Sequence, residues 1–319
     1  MFLRSEKLLI ELKKPKNPDP NGAAAVQELL GGKFGEMSTL NNYLHQSFAF
    51  KEKKKLAPFY DLVASITAEE LGHVELVSHT INMMLEKSVP EGESVDAPLE
   101  SAKDLRNTQH SLVGGGGHLV MDSMGHFWTG DNVFSSGNLV ADLLHNFFLE
   151  TGARMHKHRV YSMTSNETAR RTIAYLMVRG GVHQAAYALA LRKITGVEVT
   201  KMLPIPNIDD DQIPETDEWR SQGSHRRLYT FSPEDYSGVE GVWSGPADWA
   251  DGGELEVVKG MPEGGDAPDV HESRSQFSPD YAPEEIYEIA AKMMQKGGVS
   301  ADKIKAGGHH RETGTKSRG

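Results

Sequence analysis

The sequence contains no cysteine among its 319 residues. Disulfides, iron–sulfur clusters and metal sites built on thiolates are therefore excluded. Long apolar runs are lacking as well, and the N-terminal residues mix charged with apolar side chains. This pattern predicts neither a membrane span nor a signal peptide, so we expect a cytoplasmic protein that does not bind membranes.

Basic residues are fewer than acidic ones. The chain has 34 Lys and Arg residues and 45 Asp and Glu residues, which gives a formal net charge of -11. A protein that binds nucleic acid normally carries a basic stripe or patch. The one concentrated basic run, residues 51–55, is short and contains no aromatic residue. We therefore expect no nucleic-acid partner.

Proline is scarce in the first two-thirds of the chain and frequent afterwards, where nine of the 15 prolines follow Lys201. Because proline lacks an N–H group and fixes φ, long helices are excluded from this last part. We predict a Pro/Gly-rich C-terminal arm over 201–296 that wraps a neighbouring subunit, with one short helix at 283–296. The polar residues 297–319 predict a disordered tail, and residues 1–22 an N-terminal arm.

Residues 23–200 contain four stretches in which apolar residues recur at helical spacing. Two pairs of long helices joined by a long middle connection are typical of one bundle class. We therefore predict an all-α protein, a ferritin-like four-helix bundle with a long, irregular C-terminal arm. The predicted helices cover residues 23–50, 55–86, 138–163, and a fourth stretch capped by Asn166 and ending before Gly196.

Five polar residues interrupt these apolar stripes. Glu36 continues the stripe of the first helix, and Glu70 and His73 fall within that of the second, since residues three apart share a face. Glu150 continues the stripe of the third helix, and His183 that of the fourth. A buried carboxylate costs several kcal/mol unless it is paired or bound to a metal, so the five residues together indicate a shared metal site.

Carboxylate oxygens and imidazole nitrogens suit a pair of manganese or iron ions. Dimetal bundles of this kind carry Glu, Glu-x-x-His, Glu and Glu-x-x-His on successive helices. This chain follows that order except on the fourth helix, where Gly180 stands in place of the acid. Taken singly, each acid could be a boundary carboxylate and each histidine a core residue. Glu69 falls at the edge of its stripe, which favours Glu70 as the inward ligand.

Several separated motifs resemble those of the manganese (non-haem) catalases, at residues 30–39, 68–75, 135–142, 146–154 and 178–184. The resemblance implies disproportionation of hydrogen peroxide to water and dioxygen. It also implies two manganese ions per subunit, no haem, and assembly as a homo-oligomer, specifically a hexamer.

The resemblance further implies a ligand set. Glu70 would bridge the two ions. Glu36 and His73 would complete the protein ligands of one ion, and Glu150 and His183 those of the other. Tyr43 matches an aromatic residue near the family's solvent channel, and packing within the bundle is an equal alternative for it.

The chain departs from some relatives at two positions. Leu149 stands where they carry an arginine, and Gly180 where they carry an acid. The outer-sphere acid and base of those relatives are therefore missing, so proton transfer must rely on other groups. Arg154 and Arg179 are candidates for a nearby charge, but the sequence does not place them.

Some relatives also bind a structural calcium ion between subunits. Asp61 and Ser232 match two of those positions. Ser65 replaces an acidic ligand, however, and Thr230 and Glu234 do not keep the rest of the pattern, so the sequence leaves calcium open.

Two other functions share the same ligands. A ferritin-like di-iron oxidase, reductase or metal-storage protein would use them for iron, because such donors discriminate little between manganese and iron. A catalytically idle structural relative would keep the fold alone, although buried carboxylates without a metal would destabilise it.

Overall fold

The computed structural model describes residues 7–88, 105–202, 210–231, 237–271 and 283–298. The helices within these ranges are α1 (Pro20–Gly31), α2 (Glu36–Ala49), α3 (Ala57–Leu85), α4 (Gln109–Leu112), α5 (Leu139–Tyr161), α6 (Glu167–Thr195), α7 (Val199–Met202), α8 (Asp217–Arg220) and α9 (Pro283–Lys296). The strands are β1 (Lys7–Leu8), β2 (Arg227–Thr230), β3 (Glu256–Lys259) and β4 (Gly265–Asp266). Short 3-10 helices lie at Gly130–Asn132, Asp210–Gln212, Pro214–Thr216, Ser224–Arg226 and Ser237–Gly241.

Four helices form the bundle. Helix α2 packs on α3, α3 on α6, α6 on α5 and α5 on α2, which closes a ring of four helices. At the start of α6, the Asn166 side chain accepts hydrogen bonds from the backbone N–H groups of Thr168 and Ala169, so the predicted N-cap is confirmed. The short helix expected at 283–296 is α9, with the same bounds.

The prediction of one continuous helix over 23–50 is wrong, because the chain breaks between α1 and α2. Helix α1 ends at Gly31, where a Cβ atom would lie 2.3 Å from the carbonyl oxygen of Met121. The backbone of a distant segment therefore approaches too closely for any side chain at this position. After the break, Gly35 is extended and α2 begins at Glu36, which orients that carboxylate into the bundle.

The apolar core consists of two clusters that lie on either side of the polar positions. The first contains Ile81 of α3 and Leu176 of α6, together with α1. The second contains Ile66 of α3 and Phe147 of α5, together with Trp243 from the C-terminal arm. Residues 69–73 of α3 lie between the two clusters, so this stretch is enclosed by apolar packing along the helix.

The terminal segments pack against the bundle. Strand β1 pairs antiparallel with β4, and β2 pairs parallel with β3. Next to β1, Leu9 is 3% exposed, and a Cβ atom at Gly72 would lie 2.7 Å from its Cδ1 atom. The N-terminal arm therefore rests directly on α3 beside the predicted ligand positions.

The chain divides into two units, Met1–Ser273 and Arg274–Gly319. The first contains the bundle and the described segments of the arm up to residue 271, and the second contains α9. Wrapping of a neighbouring subunit by residues 201–296 stays a prediction. The predicted tail from residue 299 onward lies outside the described residues, as do residues 1–6 of the N-terminal arm. Among the described helices, none combines the length and apolar character that a membrane span requires.

Candidate metal centre

The four bundle helices bring all five predicted ligands to one buried position. Glu36 is the first residue of α2, Glu70 and His73 lie on α3, Glu150 on α5 and His183 on α6. Each is at most 1% exposed. Three acids and two histidines at this depth form a cluster that water cannot solvate.

The Glu70 carboxylate lies between the two histidines. Its Oε1 atom is 3.3 Å from Nδ1 of His73 and 2.8 Å from Nδ1 of His183. The two imidazoles are stacked, with ring centroids 5.5 Å apart. Ligand atoms of these three residues all lie within 4.8 Å of one another, which is the spacing that a shared metal site needs.

The other two carboxylates each accompany one histidine. Glu36 Oε2 is 3.7 Å from Nδ1 of His73, and Glu150 Oε1 is 3.5 Å from Nδ1 of His183. The cluster therefore consists of two carboxylate–imidazole pairs with Glu70 between them. This is the grouping that the family resemblance implies for two ions.

The cluster is incomplete as a hydrogen-bonded network. Among the described residues, the Nδ1 atoms of His73 and His183 have no hydrogen-bond partner, and the same holds for Oε2 of Glu150. Buried polar atoms left in this state cost roughly 1–3 kcal/mol each. Divalent cations bound by oxygen and nitrogen would satisfy these atoms, so the residues present fit a manganese or iron pair.

The interpretation of Glu69 as an edge residue is wrong, because Glu69 is fully buried. It forms a bidentate pair with Arg179, whose Nη2 atom lies 2.9 Å from Glu69 Oε2. Burial alone would raise the pKa of Glu69, but the charge of Arg179 and the two neighbouring imidazoles together hold that pKa well below its usual value. The apolar stripe on α3 did not indicate this contact, because the arm covers that side of the helix.

Lys157 of α5 is a second residue that the sequence reasoning missed. Its Nζ atom lies 3.0 Å from Glu36 Oε1, and its side chain is 3% exposed. Burial alone would lower the pKa of Lys157, but the charges of Glu36, Glu150 and Glu70 together raise it. A signal was present in the sequence, since Lys157 follows Glu150 by two helical turns and so shares its face.

Tyr43 lies inside the cluster and donates a 2.7 Å hydrogen bond to Glu150 Oε1. Burial and the neighbouring Glu150 raise the pKa of Tyr43 well above its usual value, so the phenol keeps its proton. Thr39, also on α2, donates a 2.6 Å hydrogen bond to Glu70 Oε2. Two of the candidate ligand carboxylates are therefore oriented by hydroxyl groups from one helix.

The two positions that depart from the family pattern, Gly180 and Leu149, lie in different surroundings. A Cβ atom at Gly180 would lie 3.5 Å from Glu150 Oε2 and 3.3 Å from Arg154 Cγ. Leu149 is buried in the second apolar cluster. Arg154 itself binds Asp210 at 2.6 Å, so its charge is paired with the arm.

The calcium positions are only partly described. Asp61 Oδ2 accepts a 2.9 Å hydrogen bond from the backbone N–H of Gly238. Ser232 lies outside the described residues. A calcium ion at Asp61 and Ser232 therefore stays a prediction.

Comparison with known proteins places the chain in a family. The sequence profile of the manganese containing catalases matches residues 1–299. The manganese catalase of Lactiplantibacillus plantarum is 35% identical over 196 residues, which cover 61% of this chain and 72% of that protein. The manganese catalase of Bacillus subtilis is 32% identical over 200 residues, covering 62% and 72%. The uncharacterized protein YjqC of Bacillus subtilis (strain 168) is 33% identical over 196 residues, covering 60% and 69%.

A solved structure agrees at the level of the fold. The crystal structure of wild type KatB, a manganese catalase from Anabaena, superposes with a TM-score of 0.52 at 22% identity. The match covers 81% of this chain and 99% of KatB, and it confirms the ferritin-like, all-α fold. Because the profile spans nearly the whole chain and named relatives agree with it, the protein belongs to the manganese-containing catalase family.

Proposed function

We propose that the protein converts hydrogen peroxide to water and dioxygen at two manganese ions held by Glu36, Glu70, His73, Glu150 and His183. The observation that carries this proposal is the position of Glu70 Oε1 between the Nδ1 atoms of His73 and His183. Family membership supports a catalase-type oxidoreductase in general terms. The ligand set and the number of ions are the further content of the proposal.

A bound manganese pair would accept two electrons from one peroxide molecule and donate two electrons to the next. The oxidation of one peroxide to dioxygen releases two protons, and the reduction of the next to two water molecules consumes two. Residues beside the ligands must therefore hold protons between the two half-reactions.

Lys157 and Tyr43 are placed for this role. Lys157 holds a proton at Nζ beside Glu36, and Tyr43 holds one at its hydroxyl beside Glu150. We propose that they serve where Leu149 and Gly180 leave the outer-sphere acid and base of some relatives missing. The two apolar clusters on either side of the site along the bundle exclude bulk water. Their low polarity strengthens these charged contacts.

The test combines metal analysis with an oxygen electrode. Protein produced with ample manganese should contain about two manganese ions per subunit, show no haem absorption and release dioxygen from peroxide. Glu70→Gln and His73→Ala should lose both metal and activity. Glu75→Gln, on the same helix but outside the cluster, should retain both.

The same preparation separates this function from the di-iron alternative. If the manganese-loaded wild-type protein releases no dioxygen, the proposal fails. Activity that requires iron instead of manganese would favour a ferritin-like oxidase, reductase or storage protein. Assembly as a hexamer and cytoplasmic location stay predictions, which size measurement and fractionation of the source cells would test.

A further inference from the structure

Both candidate ligand histidines turn their second nitrogen toward one carboxylate. Nε2 of His183 lies 3.2 Å from Glu69 Oε2, and Nε2 of His73 lies 3.7 Å from Glu69 Oε1. Their Nδ1 atoms face the opposite way, toward Glu70. The two imidazoles are therefore enclosed between adjacent glutamates of α3, one on each side.

Glu69 is itself rigidly held. The Nε and Nη2 atoms of Arg179 donate to its two oxygens. Arg179 Nη1 donates to the carbonyl oxygens of Ser224 at 2.6 Å and Arg227 at 2.8 Å. The guanidinium also lies over the ring of Tyr229, 4.7 Å from its centroid. A segment of the C-terminal arm thus completes the surroundings of the arginine.

A carboxylate in this position has a defined chemical effect. A negative charge close to Nε2 favours the tautomer that carries its proton there, which leaves the Nδ1 lone pair available to a metal. Because Glu69 serves both rings, it orients them relative to each other as well as to Glu70. Arg179 pairs with both oxygens of the buried carboxylate, and the arm carbonyls accept from its remaining nitrogen, so the arginine is fixed from both sides.

We propose that Glu69 is a positioning residue that orients both ligand imidazoles, and that Arg179 with residues 224–229 of the arm holds it in place. The arm then has a function at the metal centre beyond covering the bundle. This inference rests on the proposed function, since it requires metal at the Nδ1 atoms of His73 and His183.

The test compares Glu69→Gln with Glu69→Asp. The glutamine keeps the shape but offers one acceptor oxygen in place of two, so manganese should be lost to a competing chelator at about 10- to 100-fold lower chelator concentration. The EPR spectrum of the bound manganese should change, because the imidazole orientation changes. Glu69→Asp, which keeps the charge, should recover part of the retention.

The matched control is Glu218→Gln. Glu218 joins the arm to the same helix α6 through Arg171, at 2.9 Å, but contacts neither histidine. Its manganese retention and EPR spectrum should equal those of the wild type. A loss as large as that of Glu69→Gln would show that any weakened arm contact suffices, and would overturn the inference.

Glu69→Gln leaves the buried Arg179 without its counter-ion, so folding must be controlled separately. The double variant Glu69→Gln with Arg179→Gln removes both charges and leaves amides that can pair. It should show the wild-type circular dichroism spectrum and the same weakened manganese retention. If Glu69→Gln or the folded double variant retains manganese as tightly as the wild type, with an unchanged EPR spectrum, the inference is wrong while the proposed function stands. A wild-type protein that binds no manganese would overturn both.

Discussion

Lys157 and Glu36 face each other inside the bundle, with Nζ of the lysine 3.0 Å from Oε1 of the acid and both side chains at most 3% exposed. The two residues come from α5 and α2, and the contact places a fixed positive charge directly beside a candidate metal ligand. Lysine is rarely buried this deeply without a partner. Glu36 is therefore the partner that permits the burial of Lys157.

Replacing Lys157 by methionine should lower dioxygen release by about tenfold or more while manganese content is kept, because a positioned proton carrier typically contributes at least this much. Lys157→Arg retains the charge and should be less impaired. Oxygen-electrode rates and metal analysis on the same samples provide the measurement. Lys193→Met, an exposed position on α6, serves as the control. Unchanged turnover in Lys157→Met would remove this residue from the proposed proton path.

Tyr43→Phe should reduce turnover and also lower the free energy of unfolding by about 1.5–3 kcal/mol, the range for a hydrogen bond to a charged acceptor. The reason is that Glu150 Oε1 loses its 2.7 Å hydrogen bond from the phenol. Urea unfolding and peroxide assays measure the two effects. Tyr187→Phe is the matched control, because its ring lies 5.2 Å from that of Tyr43 but only Tyr43 has a described hydrogen bond to Glu150. Equal losses in the two variants would contradict a specific role for Tyr43.

Gly72→Val should lower the free energy of unfolding by about 1–3 kcal/mol, the usual range for overpacking a filled site. A Cβ atom at this position would lie 2.7 Å from Cδ1 of Leu9 and 2.8 Å from its Cγ atom. The double variant Leu9→Ala with Gly72→Val should regain part of the loss, since alanine makes room for the new side chain. Urea unfolding of the single and double variants measures this coupling. If the losses in free energy of unfolding of the two single variants simply add in the double variant, the N-terminal arm does not pack against α3 at this point.

His110 should make stability depend on pH in the acid range. Burial, followed by the charge of His118, lowers the pKa of His110 from 6.5 to about 4. The unfolded chain therefore takes up a proton near pH 6.5, whereas the folded protein does so only near pH 4. Stability should be unaffected above pH 6.5 and should fall as the pH decreases through this window, by up to about 3 kcal/mol.

The measurement is urea unfolding of the wild type and His110→Gln between pH 7 and pH 4. Glutamine can still donate to Gln27 Oε1, which lies 3.0 Å from His110 Nε2, but it does not titrate. The stability difference between the two proteins should shift in favour of the variant as the pH falls. Parallel pH profiles would show that His110 does not carry this dependence.

The candidate ligands could be found in the sequence because each is a chemical misfit. A glutamate or histidine within an apolar helical stripe needs a partner, and Glu36, Glu150 and His183 occupy such positions on three different helices. Lys157 could have been found by the same reasoning, since it lies two turns after Glu150. It was missed because a lysine near a helix end is ordinarily solvated.

Other contacts could not be predicted from local pattern. The break between α1 and α2 depends on the backbone of Met121, which is distant in sequence from Gly31. The burial of Glu69 depends on Arg179, 110 residues further along the chain, and on carbonyl groups of the arm. Helical spacing assigns a residue to a face of its own helix, but it does not say what covers that face.

The sequence by itself determined the helices α3, α5 and α6, the capping residue Asn166 and the types of candidate metal donor, because periodicity, capping chemistry and the cost of buried charge all act locally. Only the tertiary structure decided which nitrogen of each histidine faces Glu70 and which faces Glu69. It also decided which cation accompanies each acid, Lys157 for Glu36 and Arg179 for Glu69. The physical reason is that ion pairs and hydrogen bonds act over a few ångströms, so they depend on which helices and loops pack together.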